Sequence, residues 1–110
     1  MSRADLEFLL FDWLRTDELF DRPRYREHSR DVVEDLLALA EQIATHSFAP
    51  HNRKADLNEP QFDGDRVELI PEVEPALRAF ADAGFLGAPL SESVGGLQLP
   101  TSVFNAAMSW

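Results

Sequence analysis

The sequence predicts an all-α domain, a small helical bundle of about four helices with one short β-hairpin near residues 61–69. Three observations support this fold class. Apolar residues recur at the i, i+3, i+4 and i+7 spacing of one helical face in several segments. Serine, threonine, proline and glycine stand where such segments begin and end. A chain of 110 residues, of which 45% are hydrophobic, is also long enough to bury a modest core.

The first helix is predicted to begin after Ser2, because Ser2 and Asp5 have the spacing of a capping box. One apolar stripe follows at helical spacing and consists of Leu6, Leu9, Leu10, Trp13 and Leu14. Phe8 and Phe11 lie off this stripe. The helix is therefore expected to be buried on both sides or to be covered by something beyond these 110 residues.

A linker is expected next. Residues 16–20 predict a short helical turn, and residues 21–28 predict a loop because Pro23 disfavours a helical backbone before it. Acidic residues flank the arginines of this loop, which favours a solvated, salt-bridged linker over a nucleic-acid patch. Residues 1–28 are thus interpreted as an N-terminal helical extension and linker.

The strongest helix is predicted from about Arg30 to Ser47, with Ser29 or Asp31 as its N-cap. Its apolar stripe consists of Val33, Leu36, Leu37, Ala40, Ile43 and Ala44. Pro50 is expected to end the helix, so that residues 50–61 become a polar connection.

Two further helices are predicted downstream. One spans residues 71–84, with a proline in its first turn and Gly84 just past its end, and it turns Ala76, Leu77, Phe80 and Ala81 inward. Before it, Asp63-Gly64 suits the type I′ turn of a hairpin. The last helix begins at Thr101, and its stripe of Phe104, Ala107 and Met108 stops at Trp110, as expected of a domain over residues 29–110 truncated at its C-terminal end.

Composition excludes several classes of function. Twenty acidic residues against ten basic ones give a net charge of −10, which repels nucleic-acid phosphates and anionic lipid. The chain has no cysteine, which excludes disulfides and thiolate chemistry and suits a cytoplasmic protein. No apolar run approaches the roughly 18 residues that a membrane span requires.

No catalytic or metal-binding residues are predicted. His28, His46 and His51 are the only histidines, and the last two stand five residues apart, a spacing that turns their side chains away from each other on an α-helix. No HExxH cluster, G-x-S-x-G elbow or phosphate-binding glycine loop occurs. A small hydrolase or a metal enzyme therefore has no supporting constellation.

The segment "ADAGFLGAPLSESVGGLQLP", residues 81–100, resembles the acyl-CoA dehydrogenase family, in the N-terminal helical domain of its longer members. Matching residues are Ala83, Gly84, Phe85, Gly87, Gly95, Gly96, Leu99 and Pro100. Residues 48–60 are similar to the family's connection after a long helix, and residues 62–71 to an insertion. Val94 departs from the family's usual aromatic residue and Gln98 from its usual third glycine.

The resemblance implies a parent enzyme that dehydrogenates an acyl-CoA thioester between its α and β carbons and passes hydride to FAD, as in fatty-acid metabolism. It implies that FAD and the catalytic base lie in other domains, so this chain holds no catalytic or cofactor-binding residue. A homo-oligomer and an electron-transfer flavoprotein or oxygen as acceptor are expected for the parent. The alternative is a stand-alone acidic helical module that binds other proteins.

The glycines of this segment are interpreted as structural. Gly84, Gly87, Gly95 and Gly96 are expected to form tight turns between helices, with backbone angles that a β-carbon would resist. Direct contact of Gly95 and Gly96 with an acyl-CoA or a flavin is the alternative.

Overall fold

The computed structural model describes residues 2–110, and these residues are mostly helical with one two-stranded sheet. Five α-helices occur in this part of the chain: α1 (Arg3–Glu7), α2 (Arg30–Ile43), α3 (Ala49–Leu57), α4 (Val73–Asp82) and α5 (Thr101–Ala107). The strands are β1 (Gln61–Phe62) and β2 (Val67–Glu68). None of the helices in residues 2–110 is long and apolar enough to cross a membrane.

The N-terminal capping box is confirmed, but the predicted apolar stripe is partly wrong. Ser2 Oγ accepts a hydrogen bond from the Asp5 amide, and Asp5 Oδ2 accepts one from the Ser2 amide. After α1 the chain continues as a π-helix over Phe8–Trp13, whose wider turn rotates later side chains away from the α-helical stripe. Phe11 is consequently buried, whereas Trp13 is 69% exposed.

The prediction that Pro50 ends the long helix is wrong. Four residues of the predicted stripe of α2 are buried, namely Val33, Leu37, Ala40 and Ile43, whereas Leu36 and Ala44 are partly buried. Ser29 caps α2 by accepting a bond from the Val32 amide. The chain then makes a π-helical turn over Ala44–Phe48 and enters α3 with Pro50 in its first turn. A proline is tolerated there because the amides of a helix's first turn have no helical partner.

The hairpin is confirmed, with a different turn. β1 and β2 are antiparallel and pair Phe62 with Val67. Four residues separate that pair, and only Gly64 among them has a positive φ, of 106°. Asp63 closes the turn because its Oδ1 accepts the amides of Asp65 and Arg66 at 2.9 and 2.8 Å. A type I′ turn would need positive φ at two residues, so the prediction of that turn type is wrong.

The core is formed by one face of each of three helical segments and by the irregular chain before α5. Its buried side chains are Leu6, Leu10, Phe11, Val33, Leu37, Ala40, Ile43, Phe85, Ala88, Leu99, Val103, Ala106 and Ala107. Helix α4 contributes the partly buried Phe80, whose ring stacks on Phe85 at 5.4 Å. Leu77, predicted to face inward, is 49% exposed. The core thus positions the glycine-rich chain between α4 and α5.

Candidate functional site

The glycine loop, residues 84–99, is the candidate site to which the sequence pointed. Gly84 ends α4 with a φ of 83°, and its amide donates to the Ala81 carbonyl at 2.9 Å. Gly95 has a φ of 82° at the end of a short 3₁₀ turn over Glu92–Val94. Because L-residues with side chains rarely adopt these angles, the backbone at both positions favours glycine.

At position 96 glycine is favoured because the Leu90 backbone lies very close to its α-carbon. A β-carbon there would lie 2.1 Å from the Leu90 carbonyl oxygen, which is much closer than two such atoms can come. Gly87 differs, since a β-carbon there would meet only Leu90 Cδ1 at 3.9 Å, an ordinary contact. The structure therefore gives a physical need for glycine at Gly84, Gly95 and Gly96, and none at Gly87.

The loop folds back on itself through backbone hydrogen bonds. The Gln98 amide donates to the Leu90 carbonyl at 2.9 Å, and the Leu99 amide donates to the Ala88 carbonyl at 2.8 Å. Gln98 has a φ of 51°, a left-handed conformation that is uncommon for a residue with a side chain. Leu99 is buried in the core, so this doubled-back chain is fixed to the core at its C-terminal end.

A second segment, residues 22–28, is hydrogen-bonded to the glycine loop and is called the strap below. His28 Nε2 lies 2.9 Å from the Leu97 carbonyl and 3.2 Å from that of Gln98. Because both partners are carbonyl oxygens, Nε2 is the nitrogen that carries the hydrogen. Gln98 Nε2 donates in return to the Arg24 carbonyl at 3.1 Å.

Arg24 adds two contacts between strap and loop. Its guanidinium donates to the Pro89 carbonyl at 3.2 Å and to Ser91 Oγ at 3.3 Å. The sequence had predicted a solvated, salt-bridged linker, and the Arg26–Glu27 ion pair at 3.6 Å fits that description. The docking of Arg24 and His28 was not predicted, because their partners lie 65 to 70 residues away and are mostly backbone carbonyls, which leave no pattern in the sequence.

His28 also carries a buried nitrogen without a partner. Its Nδ1 has no hydrogen-bond partner in residues 2–110, although Nε2 is bound to the glycine loop. A buried polar atom without a partner is costly, so the ring is held there by its other nitrogen and by packing.

An apolar groove of about 310 Å³ opens between α2 with its π-helical turn, α4 and α5. Its lining residues are Ala40, Ile43, Ala44, Phe48, Leu77, Phe80, Ala107, Met108 and Trp110. No charged side chain from residues 2–110 lines it. Apolar cavities of this size suit an apolar side chain or a short apolar ligand. The sequence did not predict this groove, because residues from three separate helices form it.

A second pocket, of about 490 Å³, lies where α3 meets the start of α4, and His46, His51, Lys54 and Glu72 are among its lining residues. The sequence had separated His46 and His51 by their spacing of five. The π-helical turn brings residues five apart onto one side, so both line this pocket. Lys54 donates to Glu72, which lowers the pKa of that carboxyl below its ordinary value.

These polar groups form neither a metal centre nor an activated nucleophile. No group of three or more potential ligands for a metal ion occurs within residues 2–110. The Thr45 hydroxyl lies 3.3 Å from His46 Nδ1, but it donates to the Glu41 carbonyl at 2.8 Å. His46 Nδ1 in turn lies 2.9 Å from the Gln42 carbonyl, where it can only donate. This imidazole nitrogen is therefore not available as a base for the hydroxyl.

No protein-family model, curated protein or solved structure matches this chain. Its function must therefore be argued from its residues and their geometry.

Proposed function

We propose that this chain is the N-terminal helical segment of an FAD-dependent acyl-CoA dehydrogenase and that it contributes no catalytic residue itself. The observation that carries the proposal is the left-handed backbone of Gln98, with a φ of 51°. The family usually has a glycine at this position, and a glycine adopts that conformation without strain. The positive φ of Gln98 is thus compatible with the glycine that the family usually has there, and this supports the proposal.

The order of the elements also supports the proposal. The long α2 is followed by the Ala49-Pro50 segment, a hairpin, α4 ending at Gly84, and the glycine loop leading into α5. This is the order of the segments that resemble the family. In the proposed enzyme the helices form one small bundle, on which the remaining domains pack.

The apolar groove does not fit FAD. A flavin dinucleotide brings a pyrophosphate, which needs amide donors or cationic side chains. The apolar groove of about 310 Å³ is lined by aliphatic, aromatic and thioether side chains and offers neither. We therefore propose that the other domains of the parent hold the flavin and the catalytic base, and that no step of the reaction is carried out by this chain.

In this proposal the chain supplies packing surface to a cytoplasmic homo-oligomer. Leu77 and Met108 line the apolar groove and are each about half exposed, at 49% and 50%. Exposed apolar surface of this kind is common where protein surfaces meet. The groove is then filled by the parent's remaining domains or by another subunit.

The experiment is performed on the native, untagged gene product from its source cells. We expect an intact mass several times 12.4 kDa and a bound flavin whose absorbance is bleached by an acyl-CoA. A panel of acyl-CoA chain lengths then identifies the substrate. A heavier product that binds no flavin, or a flavin that no acyl-CoA reduces, would contradict the proposal.

A second candidate is the stand-alone acidic helical module that binds other proteins. It is favoured by the net charge of −10 together with large exposed apolar side chains such as Leu57 at 75% and Leu86 at 71%. A native mass near 12.4 kDa without flavin would support this candidate instead.

A further inference from the structure

The hairpin segment, residues 58–69, is the least supported part of the molecule. Every one of its residues is exposed. Its hydrogen bonds and ion pairs within the described chain are local and reach no further back than Lys54. A two-stranded hairpin with no packing partner is marginally stable in water at best. A bound partner would stabilise the hairpin by packing against it.

Three large apolar side chains of this segment, Phe62, Val67 and Leu69, are exposed among its polar and charged residues. Phe62 and Val67 are cross-strand partners, and they are 70% and 57% exposed. Leu69 follows at 53%, and Leu57 at the end of α3 is 75% exposed. Cross-strand partners project from the same face of a sheet, so Phe62 and Val67 form one continuous apolar surface. Adjacent exposed apolar side chains of this kind make this face a candidate interaction surface.

The charge around this surface indicates the chemistry of the partner. The segment carries four carboxylates, of Glu59, Asp63, Asp65 and Glu68, against one arginine, Arg66. Its net charge of −3 over 12 residues is denser than the −10 carried by all 110. Arg66 lies 3.7 Å from Asp63 and 3.8 Å from Glu68, so it offsets those two only in part.

A groove beside the hairpin also combines carboxylates with exposed apolar side chains. It has a volume of about 640 Å³ and lies between the end of α3 and the strands. Carboxylates of Asp56, Glu59 and Glu68 line it together with Leu57 and Leu69. Lysine and arginine side chains can lay their apolar stems along such leucines while their charged ends reach the carboxylates.

We propose that the hairpin segment is a docking surface for a basic, amphipathic segment of a partner protein. Apolar residues of the partner cover Phe62 and Val67, and its lysines or arginines pair with the surrounding carboxylates. A second copy of this chain is a poor occupant, because it would bring the same negative charge. This inference is independent of the flavin chemistry, since none of its residues belongs to the glycine loop.

The test uses three short synthetic peptides and the full 110-residue chain. One peptide alternates lysine with valine, the second replaces lysine by glutamate, and the third replaces valine by serine. Amide chemical shifts measured by NMR report where each peptide binds. We expect the lysine–valine peptide to shift residues 57–69 and to bind about tenfold tighter than either of the others, with affinity falling as salt rises.

Two variants distinguish binding at the hairpin from general attraction of the peptide to an acidic chain. Phe62→Ser should weaken the lysine–valine peptide about tenfold, and because Phe62 is exposed the fold should be unchanged by circular dichroism. Leu86→Ser is the matched control, since Leu86 is 71% exposed but lies outside the hairpin segment. The inference is overturned if both variants bind alike, if the glutamate peptide binds as well, or if the shifts lie elsewhere.

Two further outcomes identify a different occupant. Concentration-dependent self-association that Phe62→Ser abolishes would make a second copy the occupant and overturn the inference. Failure of the heavier native product to bind the lysine–valine peptide, when the 110-residue chain does bind it, would make a parent domain the occupant. Binding by both supports a separate partner.

Discussion

The glycine loop and the hairpin segment are both irregular, and both turn through a glycine with positive φ, yet they are anchored in opposite ways. Gly95 in the loop and Gly64 in the hairpin have φ values of 82° and 106°. The loop is fixed by bonds from the strap, whose partners lie 65 to 74 residues away. Within the described residues, the hydrogen bonds and ion pairs of the hairpin segment reach only its own sequence neighbours. A left-handed glycine therefore indicates a turn and does not indicate whether the turn is anchored.

The space around each glycine helps to show whether its turn is packed against the rest of the chain. A β-carbon at Gly64 or at Gly95 would meet nothing within 4 Å, whereas one at Gly96 would meet the Leu90 backbone. Anchoring thus depends on backbone approach and on distant side chains such as His28. This explains why the loop and the hairpin suit different roles, one as a fixed connection inside the domain and the other as a surface for binding.

Replacing Gly96 should have the largest effect on the anchored region. Gly96→Ala places a methyl group 2.1 Å from the Leu90 carbonyl oxygen, so the doubled chain must open. We expect a loss of about 3 kcal/mol in the free energy of unfolding, measured by urea denaturation. Gly87→Ala is the control and should change stability by less than about 0.5 kcal/mol. Equal losses for both would mean that the close approach at Gly96 is not needed.

Replacing Gln98, whose backbone is left-handed, should have the next largest effect on the free energy of unfolding. Gln98→Val puts a β-branched residue at a φ of 51° and removes the bond to the Arg24 carbonyl, which should cost about 2 kcal/mol. Gln98→Gly loses the same bond but relieves the strain, so it should cost less than about 1 kcal/mol. Thermal or urea denaturation separates the two variants. A glycine variant that is less stable than the valine variant would contradict the account.

Removing the strap contacts should have a smaller effect. His28→Ala deletes the donor to the Leu97 and Gln98 carbonyls and should lower the free energy of unfolding by about 1.5 kcal/mol. Arg26→Ala is the matched control on the same strap, because Arg26 pairs with its neighbour Glu27 and its side chain is 75% exposed. Its effect should stay within about 0.5 kcal/mol. If His28→Ala is equally harmless, the strap does not anchor the loop.

Acid should produce a distinct local step in the unanchored hairpin, through the carboxyl of Asp63. Amides of Arg66 and Asp65 hold the pKa of Asp63 below its ordinary value of 3.8. A depressed pKa in the folded turn means that the stabilisation is present above pH 3.8 and is lost as the pH falls below it through the folded-state pKa. We expect the Phe62 and Val67 resonances to move toward unfolded values there. Asp63→Ala should remove this step, and its persistence in that variant would contradict the assignment.

Local features of the fold could be predicted from the sequence, whereas tertiary ones could not. The caps at Ser2 and Ser29, the apolar stripe of α2 and the place of the hairpin follow from interactions within a few residues. The π-helical turns at 8–13 and 44–48 carry no such local pattern. Phe11 is buried after the first of these turns, and His46 and His51 line the same pocket around the second.

In the candidate site, too, local features could be predicted and tertiary contacts could not. Glycine pairs and their neighbours indicated where the chain doubles back, because glycine preferences are local. The strap was missed since His28 and Arg24 bind backbone carbonyls, which every residue has. The apolar groove was missed because Phe48, Leu77 and Trp110 come from three separate segments.

Amide hydrogen exchange on the unmodified chain tests the central contrast most directly. The account predicts that the amides of Gly96, Gln98 and Leu99, which donate to the Ser91, Leu90 and Ala88 carbonyls, exchange about 100-fold more slowly than that of Asp63 in the hairpin. Such a result would show that the strap and the doubled backbone hold the glycine loop while the hairpin opens by itself. Similar exchange rates in the two regions would contradict this.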